Sequence, residues 1–83
     1  MSKSLTVRTP AIGSTDPVSI LAIFVQVGDH VELDDALVEL ETEKATLVVR
    51  SESVGTVESL LVSVGDNVEA GEPILVLRLP HDD

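Results

Sequence analysis

Val25-Gln26-Val27-Gly28-Asp29-His30-Val31-Glu32 recurs as Val62-Ser63-Val64-Gly65-Asp66-Asn67-Val68-Glu69, each position 37 residues after its counterpart. The likeness extends forward, where Leu37-Val38-Glu39-Leu40 answers to Ile74-Leu75-Val76-Leu77, and backward, where Ile20 answers to Val57 and Ile23 to Leu60. Two copies are too few for a solenoid, so the repeat implies one domain of two similar halves. Within each copy, Val-Gly-Asp interrupts an apolar run. Glycine tolerates positive φ there, and the aspartate carboxylate can accept from nearby backbone amides.

Each half therefore reads as strand, turn, short strand, turn, strand. Ile20–Val27 and Thr56–Val64 are the long apolar runs, and Leu5–Arg8 is a short opening strand. Asp34-Asp35 and Ala70-Gly71-Glu72-Pro73 form the second turns, Val54-Gly55 is a further break, and Pro10–Pro17 is a loop. Turns this frequent between short strands predict an all-β sandwich or flattened barrel. Leu33–Thr46 also fits an amphipathic helix, with Leu33, Leu37 and Leu40 on one face. The second copy decides against it, because Gly71 and Pro73 stand at the positions of Asp34 and Ala36.

Composition agrees with a β core. The chain has 83 residues, 43% of them hydrophobic, with one Phe and no Trp, Tyr or Cys. That is one domain near the small end of what folds alone. Stability must come from aliphatic packing, without disulfides or thiolate metal sites. A net charge of −10 repels nucleic acid and anionic membranes, so neither is a predicted partner. The longest apolar run, Ile20–Val25, is far short of the roughly 20 residues of a membrane span. No signal or transit pattern is seen, and the reading points to the cytoplasm.

Catalytic patterns are absent. Ser14, Asp16 and His30 supply the residue types of a hydrolase triad, but no G-x-S-x-G elbow accompanies them. His30 and His81 have no metal-ligand spacing, and no phosphate-cradling glycine pattern occurs. The chain is not predicted to be an enzyme. What remains is Lys44, one of only two lysines, in Glu41-Thr42-Glu43-Lys44-Ala45 between the apolar runs Leu37–Leu40 and Leu47–Val49. If both runs are strands, Lys44 sits at or near the tip of a hairpin. Under the repeat, this turn is the counterpart of the place where the termini meet, which puts the two at opposite ends of the domain. A lone amine raised on a rigid turn suits covalent attachment of a prosthetic group. The bland alternative is an exposed lysine paired with Glu41 or Glu43, an interaction of little energetic weight.

Glu41–Thr46, E-T-E-K-A-T, resembles the E-T-D-K-A motif of lipoyl domains of 2-oxo acid dehydrogenase complexes, and Gly28 and Gly55 are spaced about the lysine like that family's turn glycines. The resemblance covers Leu5–Leu79 of a single domain with a core over about residues 4–79, leaving 80–83 as a tail or the start of a linker. It implies a barrel-sandwich hybrid of two four-stranded antiparallel sheets with quasi-two-fold symmetry. It also implies lipoate in amide linkage on Lys44. The modifying partner would be a lipoate–protein ligase or lipoyl transferase. The arm would serve a thiamine-dependent 2-oxo acid dehydrogenase component, an acyltransferase core and dihydrolipoamide dehydrogenase. By the same resemblance, Glu43 and Ala45 are recognition residues, Gly13, Ser14, Thr15 and Asp16 form a partner-discriminating loop, and Gly28 and Gly55 are structural.

The chain departs from that pattern in places. Glu43 stands where Asp is usual, and Val48 and Arg50 replace the acidic residue and proline of M-E-V-P. The Lys44-Ala45 pair leans toward a pyruvate-type complex. A biotin carrier domain shares the implied fold and a hairpin lysine, but that family has Met on both sides of it. A non-covalent interaction module is the alternative of a different class.

Overall fold

A computed structural model describes residues 3–11 and 18–80. Among these, the strands are β1 (Ser4–Arg8), β2 (Val18–Ile23), β3 (His30–Val31), β4 (Ala36–Glu41), β5 (Thr46–Arg50), β6 (Gly55–Leu60), β7 (Asn67–Val68) and β8 (Pro73–Arg78). They form two four-stranded sheets, in the orders β1-β8-β6-β3 and β5-β4-β2-β7, with every pairing antiparallel. No helix occurs among the described residues, so Leu37–Leu40 is strand, as the second copy of the repeat requires. None of the described segments is a helix long and apolar enough to cross a membrane.

The quasi-two-fold relation is visible bond by bond. β2, β3 and β4 answer to β6, β7 and β8 across the 37-residue offset of the sequence. The core is built from the same pairs: Ile20 and Val57, Val31 and Val68, Leu37 and Ile74, Val38 and Leu75, Leu40 and Leu77, all buried. Strict alternation would turn one of Leu37 and Val38 outward. A bulge in the β4–β5 register between Ala36 and Val38 turns both inward, and the β1–β8 register shifts opposite Ile74 in the same way.

The two halves are interlocked through their Val-Gly-Asp turns. Gly28 N–H donates to the Val57 carbonyl and Val57 N–H to the Asp29 carbonyl, each at 2.8 Å, so the first turn docks on β6. Gly65 N–H donates to Ile20 and Ile20 N–H to Asp66, also at 2.8 Å, so the second turn docks on β2. The aspartates act as the sequence predicts: Asp29 Oδ2 accepts from Gln26 N–H and Asp66 Oδ2 from Ser63 N–H, both at 2.8 Å. This docking shortens the predicted strands. β2 ends at Ile23 rather than Val27, and β6 at Leu60 rather than Val64, because residues 24–27 and 61–64 leave one sheet to reach the other.

Gly55 is the one predicted turn glycine that is not in a turn. It is the buried first residue of β6, opposite Val31, and a Cβ there would lie 2.8 Å from the Arg78 carbonyl oxygen. Glycine is needed at this point for the close approach of two backbones. Gly28, at φ +96°, is a turn residue as predicted.

Candidate functional site

β4 and β5 run in register to the pair Glu41–Thr46, and residues 42–45 connect them. The sequence there has no Gly or Asn, and none is needed. Among the described residues only Asp34 is a non-glycine residue at positive φ, so Glu43, Lys44 and Ala45 all keep ordinary backbone angles. The loop is closed by Thr42. Its N–H donates to the Ala45 carbonyl at 2.9 Å and its hydroxyl donates to the same oxygen at 2.9 Å. The hydroxyl oxygen in turn accepts from Lys44 N–H at 3.2 Å and Ala45 N–H at 3.1 Å. Sequence reasoning passed over Thr42. The usable signal was a hydroxyl two residues before the tip, where it can reach backbone amides ahead of it.

Glu43, Lys44 and Ala45 are brought together at this tip and all are exposed. Lys44 joins no ion pair among the described residues, and the pairs that do form are His30–Glu32 and Arg78–Glu58. The amine is therefore not tied to Glu41 or Glu43. It is an exposed amine on a hydrogen-bonded turn, open to solvent among the described residues.

The site lies at one end of a molecule measuring 44 × 19 × 19 Å. β2 starts beside it, with Ser19 opposite Glu41. The chain then runs away until His30 pairs with Thr56, which lies opposite Arg78, itself opposite Ser4. The described ends of the chain are thus at the far end. Gly28 and Gly55 also meet there, so they do not flank the lysine in space as they do in sequence. The predicted partner loop Gly13–Asp16 lies outside the described residues. The strand that follows it opens next to the hairpin, because Ser19 pairs with Glu41.

Other chemistry is not assembled. No cluster of three metal-ligating side chains occurs among the described residues. His30 is exposed, with Nε2 2.8 Å from Glu32 Oε2. An open groove lies between the edge strands β1 and β5. Arg8 and Arg50 line it, each donating from Nη1 to a turn carbonyl, Gly71 and Asp34 respectively.

The family model described as "Biotin-requiring enzyme" matches residues 5–77. Among curated proteins, the chain is 38% identical over 73 residues to the dihydrolipoyllysine-residue acetyltransferase component of the pyruvate dehydrogenase complex of Pseudomonas aeruginosa, covering 88% of this chain and 13% of that protein. It is 40% identical over 75 residues to the protein of the same description in Cupriavidus necator, covering 90% of this chain and 14% of the relative. A succinyltransferase component of the 2-oxoglutarate dehydrogenase complex of Staphylococcus saprophyticus is 48% identical over 52 residues, or 63% of this chain and 12% of that one. Among solved structures, Kluyveromyces lactis urea carboxylase superposes with a TM-score of 0.75 at 28% identity, covering 90% of this chain and 6% of that one. A single-chain, multi-domain long-chain acyl-CoA carboxylase superposes with a TM-score of 0.78 at 21% identity over 93% of this chain and 7% of its own, which is a likeness of fold. The chain thus spans less than one fifth of the length of each of these relatives.

Proposed function

This chain belongs to the biotin/lipoyl family, and we propose that within it the chain is a lipoyl carrier domain bearing lipoate in amide linkage on Lys44. The placement of Lys44 carries the reading: an exposed amine without an ion pair among the described residues, on a hydrogen-bonded turn at the end of the domain opposite its described termini. The domain itself performs no catalysis. Bound lipoate would supply a dithiolane that takes up an acyl group and electrons at one enzyme of a 2-oxo acid dehydrogenase complex and yields them at others.

The chain's own residues do the rest. Lys44 provides the attachment nitrogen, and Glu43 and Ala45 give the modifying enzyme its local contacts. The strand scaffold keeps the arm directed away from the point where further chain would join. Tethering of that kind makes each visit to a partner effectively intramolecular. The partners are the thiamine-dependent dehydrogenase component, an acyltransferase core and dihydrolipoamide dehydrogenase, with a lipoate–protein ligase or lipoyl transferase as the modifying enzyme. The cited relatives are components of pyruvate and 2-oxoglutarate dehydrogenase complexes, which supports a complex of this class.

Incubation with a lipoate–protein ligase, lipoate and ATP, followed by intact mass and peptide mapping, tests the reading. One lipoyl group is expected on Lys44, none on Lys3, and none on a Lys44→Ala chain. Acylation removes one positive charge, so the product is one unit more negative than the −10 of the bare chain and separates by native charge. Incorporation of biotin by a biotin ligase, with no lipoylation, would assign the chain to the other half of its family.

A further inference from the structure

We infer that Thr42 is the positioning residue for modification of Lys44, its hydroxyl fixing the backbone from which the amine is presented; this rests on the carrier reading above. The hydroxyl uses its whole hydrogen-bonding capacity inside the loop, donating to the Ala45 carbonyl and accepting from the Lys44 and Ala45 amides. It has no valence left for a substrate, so it acts through Lys44 and not on the reacting atoms. The β-branched side chain adds stiffness at χ1, so the hydroxyl holds its place without help from neighbours.

The molecule supplies its own control. Across the repeat, Thr42 answers to Leu79, and the bond from Thr42 N–H to the Ala45 carbonyl answers to a 2.7 Å bond from Leu79 N–H to the Lys3 carbonyl. The strand-end backbone contact is therefore common to both ends of the fold. The hydroxyl is present only at the end that carries Lys44. It adds what the scaffold alone does not, an anchor for the amides of the tip itself.

The test compares Thr42→Val, which keeps the shape and loses the hydroxyl, with Thr42→Ser, which keeps the hydroxyl. Each apo chain is titrated against a lipoate–protein ligase with lipoate and ATP, and solvent exchange of the Lys44 and Ala45 amides is followed by NMR. Losing three weak hydrogen bonds at an exposed turn corresponds to about a tenfold effect. Thr42→Val should show that fall in kcat/KM, carried by KM, with faster exchange of both amides and a fall in Tm of several degrees. Thr42→Ser should restore both readouts. Equal kcat/KM for Thr42→Val and the parent, unchanged amide exchange, or a serine variant as impaired as the valine one would each overturn the inference. A parent chain that accepts no lipoate at all would instead overturn the carrier reading, while the exchange measurement still reports on the clamp.

Discussion

Asp34 holds φ +71° at the position where the second half of the molecule has Gly71 at φ +87°. Both residues do the same work. Asp34 N–H donates to the Ser51 carbonyl and Gly71 N–H to the Thr9 carbonyl, each at 2.8 Å. Their own carbonyls accept from Arg50 and Arg8 at 3.1 and 3.0 Å. No hydrogen bond is made by the Asp34 side chain among the described residues, so nothing there offsets the left-handed backbone.

Asp34→Gly should therefore stabilise the fold. Relief of the left-handed conformation outweighs the extra unfolded-state entropy of glycine, for a net gain of about 0.5–1 kcal/mol. In a domain of this size that corresponds to a rise in Tm of a few degrees. Thermal unfolding checks it, and a fall in Tm would mean that Asp34 makes a contribution its bonding does not reveal.

The two glycines at the far end should respond to alanine for different reasons. At Gly28 a Cβ would meet nothing within 4 Å, so Gly28→Ala sets the torsional penalty of φ +96° against the lower unfolded-state entropy of alanine, for a net loss of about 0.5–1 kcal/mol. At Gly55 the backbone angle is ordinary, but the Cβ would press on the Arg78 carbonyl at 2.8 Å. Backbone must move there, at a cost of about 1–3 kcal/mol. Gly28→Val should disturb folding more than Gly28→Ala. Urea unfolding of the single variants provides the numbers, and Lys44 in the folded fraction should still accept lipoate.

Leu40 and Leu77 are equivalent by the repeat and both fully buried. Leu40→Ala and Leu77→Ala should each cost about 2–5 kcal/mol, within about 1 kcal/mol of one another. Chemical denaturation of the pair would show whether the symmetry of the contacts is also a symmetry of energies.

Much of this was legible in the sequence because the chain is written twice. A helix over Leu33–Thr46 was excluded by Gly71 and Pro73 in the second copy, and the lysine hairpin followed from the strands that remained. What stayed hidden depends on contacts between the halves. Gly55 looks like a turn glycine until Arg78 is seen passing over it. The strand limits at Ile23 and Leu60 are set by turns docking on the opposite half, which no local propensity encodes. Asp34 carries no mark of its backbone angle except its alignment with Gly71. Thr42 reads as an ordinary β-former, because its role depends on a rotamer that composition does not show.

The bond from Leu79 N–H to the Lys3 carbonyl, 2.7 Å long, makes the far end of the fold an open version of the lysine hairpin. Between Thr42 and Ala45 the chain continues through Glu43 and Lys44, while between Leu79 and Lys3 it is interrupted. Two residues bridge the first gap, so two residues of ordinary backbone conformation should bridge the second. A backbone-cyclised chain with Leu79 joined to Lys3 through such a dipeptide should fold with the same strand pairing. It should gain about 2–4 kcal/mol through the lost freedom of the unfolded chain. Lys44 lies at the other end, so its lipoylation rate should match that of the linear chain. Tm and ligase kinetics on the cyclised protein check both halves of the prediction. A cyclised chain that folds but is modified more slowly would mean that the two ends communicate through the sheets, against the independence their separation implies.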